Sequence, residues 1–88
     1  MPYRAPVSEY QFILEQVVPL APVVASDYFA EATPDLTDAI LNECGKLCDT
    51  VMAPLQRPGD LVPAHLENGV VRTTPGFAEG YAAIAEGG

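Results

Sequence analysis

The sequence predicts a mainly helical chain with one small β-hairpin. Three observations lead there. Tyr10, Ile13, Leu14, Val17 and Val18 repeat at helical spacing, and so do Leu36, Ile40, Leu47 and Val51. A lone Asn68-Gly69 pair sits between short apolar runs. Helices are expected at roughly 9–18, 34–53 and 76–86, with the hairpin near 65–73.

The chain opens on an extended arm. Pro2 and Pro6 lack amide donors and bias the residues before them away from helix. Ser8-Glu9-Tyr10-Gln11 then has the pattern of a capping box, with Ser8 accepting from the Gln11 amide. Glu9 suits the positive end of the helix dipole, and Pro19 should stop the helix. Leu20 to Ala32 carries Pro22 and too few apolar residues for a period. It reads as irregular and partly buried, with one short helical turn expected over Ser26 to Ala30.

Thr33-Pro34-Asp35 is the strongest start signal. It offers an N-cap, a first-turn proline and an acidic residue for the dipole. Leu41, Cys48, Met52 and Leu55 widen the stripe that follows, while Asp38, Asn42, Lys46 and Asp49 take the other side. Gly45 costs about 1 kcal/mol against Ala inside a helix, so a close approach by a neighbour is expected there. Pro54 should end or kink this helix, and Pro58, Gly59 and Pro63 make 56–64 a loop. Leu66, Val70 and Val71 flank the Asn68-Gly69 turn, and a hairpin this small must lean on a helix. Thr74 is the expected cap of the last helix, whose apolar face is Phe77, Tyr81, Ile84 and Ala85.

Composition narrows function. Twelve carboxylates against four basic side chains give a net charge of -8, which argues against nucleic acid and against a polybasic membrane anchor. No apolar run reaches the ~18 residues of a membrane span. The first 22 residues lack the pattern of a secretory leader, so a reducing cytoplasm is the expected compartment. A hydrophobic share of 49% is high for 88 residues. A chain of that size hides only about 60–65% of its unfolded surface. Apolar surface should therefore remain for a partner, and a homo-oligomer is expected, with Leu36, Ile40, Leu47 and Val51 as its seam.

The residues that could carry chemistry have plainer readings. Cys44 and Cys48 share a helical face and could form half a metal site or a redox pair, but two small core residues are the preferred reading. A Cys48–His65 nucleophilic pair lacks an orienting third group in the spacing. Asp35/Asp38 and Glu79/Glu86 read as solvated faces. Gly76 and Gly80 fit no phosphate-cradling spacing. Tyr3, Tyr10, Phe12, Tyr28, Phe29, Phe77 and Tyr81 read as packing anchors. No catalytic, cofactor-binding or metal residue is assigned.

Five segments in series resemble the start of a bacterial subgroup of acyl-CoA dehydrogenases that carries an extra N-terminal segment. They are Tyr3-Arg4-Ala5-Pro6-Val7 with Phe12-Ile13-Leu14, Glu31 to Leu36, Ala53 to Asp60, Leu66 to Val71, and Thr74 to Phe77 with Glu86-Gly87-Gly88. The resemblance implies an N-terminal extension at 1–32 and the start of an incomplete helical domain at 33–88. It implies FAD, acyl-CoA α,β-dehydrogenation and an electron-transfer flavoprotein partner for the full-length family. The family's base and FAD-contacting loops match no position here. The chain is thus expected to be a catalytically silent fragment packed against the remainder of a dehydrogenase. A free-standing acidic helical module that dimerises is the alternative.

Overall fold

The computed structural model describes residues 2–88, and they are mainly helical with a two-stranded hairpin. They fall into two compact units: Arg4–Lys46, and Leu47–Gly88 together with Pro2 and Tyr3.

In the first unit, α1 spans Val7–Phe12 and continues as a π turn over Ile13–Val17. The helix starts earlier than expected. Pro6 is its cap, and the Pro6 carbonyl accepts from the Tyr10 amide at 3.2 Å. Ser8 is thereby inside the helix, and the expected capping box does not form. α2 is a short turn at Ala21–Val24, upstream of the turn expected over Ser26 to Ala30. Pro22 opens it instead of breaking it, because a first-turn residue has no helical partner for its amide. α3 runs Pro34–Leu47, most of it in this unit. Thr33 caps it as expected: its Oγ1 accepts from the Leu36 amide at 3.4 Å, and its carbonyl accepts from Thr37 at 2.9 Å.

In the second unit the helical path continues through residues expected to form a loop. A π turn at Cys48–Met52 leads to a 3-10 turn at Ala53–Leu55 and then to α4 at Gln56–Leu61. Pro54 and Pro58 each fall in the first turn of a new segment, where no amide is needed. Both π turns end two residues before a proline, Pro19 and Pro54. A proline ring crowds the carbonyl four residues back, here Glu15 and Thr50, each in the middle of its π turn. The wider turn relieves that clash.

β1 (His65–Glu67) and β2 (Val70–Arg72) pair antiparallel, with Leu66 opposite Val71. Asn68 at φ 51° and Gly69 at φ 79° make the tight turn that the sequence predicts. All six strand residues are exposed, so the hairpin buries no side chain against a helix. α5 spans Phe77–Glu86. Its cap is Gly76 at φ 96°, not Thr74, whose hydroxyl is used elsewhere.

No apolar side chain is buried among the described residues; only Gly45, Thr74 and Gly80 are. Gly45 admits a neighbour as expected, since a Cβ there would meet Val7 Cγ2 at 2.7 Å. Leu36 (45% exposed) and Ile40 (57%) stay outside. At 100° per residue, Gly45 lies opposite Leu36 on α3. On α5, Gly80 faces Leu55 and shares its side with Phe77 and Ile84, while Tyr81 turns away and is 74% exposed.

Candidate functional site

Among the described residues no constellation of reactive side chains comes together. Cys44 is exposed on α3, and Cys48 is half-buried at the start of the π turn; they form no disulfide. Among the described residues no group of three or more His, Cys, Asp or Glu side chains could hold a metal. His65 is spent on the exposed hairpin, with Nε2 3.4 Å from Glu67 Oε2. Asp35, Glu79 and Glu86 are exposed, as solvated faces should be, and Asp38 is half-buried.

The aromatic residues are not core anchors. Each of the seven is more than two-fifths exposed, and the most exposed is Tyr28 at 87%. Tyr28 and Phe29 meet edge to face at 4.7 Å, which is local packing between sequence neighbours. The reason is size. Short helical segments in a chain of 88 residues cannot enclose rings that bury ~150–250 Å² each.

The described residues do form an open apolar groove in each unit. The groove in Arg4–Lys46 has a volume of about 450 Å³. Leu14, Leu20, Val24 and Ala32 line it, with Glu15 and Asp38 among its other lining residues. The groove in Leu47–Gly88 has a volume of about 630 Å³ and is lined by Met52, Leu55, Phe77, Tyr81 and Ile84. The second could be traced in the sequence from the apolar spacing of Phe77, Tyr81 and Ile84. The first could not, because Leu20, Val24 and Ala32 follow no period across Pro22. Both grooves can take apolar matter. Neither presents a nucleophile with a base beside it.

Flavin cofactors need donors for a pyrophosphate and a close backbone approach. The first groove presents two carboxylates instead, and no cation lines either groove. These residues do not fit FAD.

No protein-family model matches the chain. It is similar to 3-methylmercaptopropionyl-CoA dehydrogenase of Ruegeria pomeroyi, 36% identical over 81 residues. The matched segment is 92% of this chain and 14% of that relative. The similarity supports a relation to the acyl-CoA dehydrogenases, of which this chain spans a small part. No helix among the described residues is long and apolar enough to cross a membrane.

Proposed function

We propose that the chain is the N-terminal part of an FAD-dependent acyl-CoA dehydrogenase, that its role is structural, and that it performs no catalysis by itself. One observation carries the reading: no apolar side chain is buried among the described residues, and Leu36 and Ile40 of α3 and Phe77, Tyr81 and Ile84 of α5 are each more than two-fifths exposed. Covering the part of one such side chain that is still exposed is worth about 1 kcal/mol. The similarity to a dehydrogenase about seven times the matched length says where a cover would come from. Residues 1–32 are then an extension ahead of the first helical elements, 33–88. Dehydrogenation, FAD and any electron-transfer flavoprotein contact belong to the remainder of the enzyme.

The test is a chimera in which this chain replaces the matching segment of the Ruegeria enzyme. The chimera should hold flavin and oxidise that enzyme's acyl-CoA, and the 88 residues alone should do neither. Turnover by the chain alone, or a chimera that folds without flavin, would overturn the proposal.

A second reading is self-association. Of the expected seam, Leu36 and Ile40 are solvent-exposed, while Leu47 and Val51 are half-buried. Sedimentation of the isolated chain separates the readings, because a seam predicts a concentration-dependent dimer and a covered face in a larger enzyme does not require one.

A further inference from the structure

The groove of the first unit has a chemical sign as well as a shape. Its floor is Leu14, Leu20, Val24 and Ala32, and its carboxylates are Glu15 and Asp38. Among the described residues neither carboxylate has a cationic partner. Lining cations are absent too. The whole unit Arg4–Lys46 sets seven carboxylates against Arg4 and Lys46, and Lys46 is engaged with Glu43 at 2.7 Å.

We propose that this groove docks an amphipathic helix whose apolar face is flanked by Lys or Arg, contributed by the body of the dehydrogenase. The apolar floor supplies burial, and the carboxylates fix register and exclude acidic helices. A second copy of this chain is a poor occupant, because its own net charge is -8. The matched segment covers 14% of the Ruegeria relative, so most of such an enzyme is available to supply the helix. The inference rests on the reading above only for the source of that helix. Its chemistry can be tested without any dehydrogenase.

The probe is a pair of Leu/Ala-rich helical peptides, identical except that one has flanking lysines and the other flanking glutamates. Each is titrated into the isotope-labelled chain and followed by amide chemical shifts. The lysine peptide should perturb Leu14, Leu20, Val24 and Thr37, and the glutamate peptide should not. The double substitution Glu15→Lys with Asp38→Lys should weaken the lysine peptide about tenfold or more and admit the glutamate peptide. Glu79→Lys with Glu86→Lys makes the same change in net charge outside this groove and should have a far smaller effect. Equal weakening by both pairs would mean that only overall charge matters and would overturn the proposal. So would shifts confined to the groove of the second unit, or the same shifts on raising the chain's own concentration without peptide. In the chimera, the Glu15/Asp38 reversal should lower the melting temperature more than the Glu79/Glu86 reversal. Peptide docking with an inactive chimera would leave the groove standing and remove the dehydrogenase reading; the converse result would do the opposite.

Discussion

Thr74 donates its hydroxyl to the carbonyl of Val62, twelve residues back, at 2.6 Å. Thr74 is also 3% exposed, and it is the one buried polar residue among those described. The bond ties the end of α4 to the start of α5 and closes the loop that carries the hairpin. Val62 is the C-cap of α4, and its amide donates to the Pro58 carbonyl at 2.8 Å. Both its backbone groups are thus committed.

Thr74→Val keeps the shape and removes the donor. It should cost about 1–3 kcal/mol, because a partly buried carbonyl is left without its partner. Thr74→Ser should cost clearly less. Amide hydrogen exchange at Val62 and in β1 and β2 reads the difference. Equal exchange in all three proteins would show that the bond contributes nothing.

Leu55 sits between two glycines of the second unit. A Cβ at Gly76 would stand 2.9 Å from Leu55 Cδ2, and one at Gly80 would stand 2.6 Å from Cδ1. A methyl group at Gly80 therefore requires the Leu55 side chain to shift. Gly80→Ala should therefore destabilise by about 1–2 kcal/mol, even though alanine is worth about 1 kcal/mol more than glycine inside a helix. Leu55→Ala in the same chain should recover part of that loss, which chemical denaturation of the four proteins in the cycle would show.

Much of this architecture was legible. Thr33 announces α3, and Asn68-Gly69 announces the hairpin, because capping and positive φ are local demands that one or two residues meet. The prolines misled for an equally local reason. A proline read as a stop can be a start when it falls in a first turn, as Pro22, Pro54 and Pro58 do. The choice depends on whether the chain before the proline can relax, and of these three only Pro54 follows a π turn. The groove of Leu14, Leu20 and Val24 had no sequence signal, because it joins segments on either side of two prolines. Of the stripe expected on α3, Leu36 and Ile40 are exposed while Leu47 and Val51 are half-buried, since period marks an apolar face without saying what covers it.

The hairpin should be sensitive at its turn and nearly silent elsewhere. Gly69 has φ 79°, and a Cβ there would meet nothing within 4 Å, so Gly69→Ala acts through the backbone alone. About 1 kcal/mol is the expected cost of holding alanine in the left-handed region. Cross-strand contacts between Leu66 and Val71 should weaken in nuclear Overhauser spectra while α5 is unchanged. Loss of α5 signals together with the hairpin would contradict this.

Ile40→Asp separates folding from association. The side chain is 57% exposed, so the isolated chain should change in stability by no more than about 0.5 kcal/mol. In the chimera the same substitution places an unpaired charge against whatever covers α3, and should cost several kcal/mol. Paired thermal melts check both. A large loss in the isolated chain would mean that Ile40 is part of an internal core.

The central claim is that the bulky faces of α3 and α5 are built to be covered from outside these 88 residues. Amide hydrogen exchange, measured on the isolated chain and on the same residues within the chimera, tests it most directly. The amides of α3 that follow Pro34 and those of α5 should exchange within a short time in the isolated chain and about a thousandfold or more slower in the chimera. The same protection in both settings would mean that the helices are already as stable as they become, and that the exposed faces await no cover.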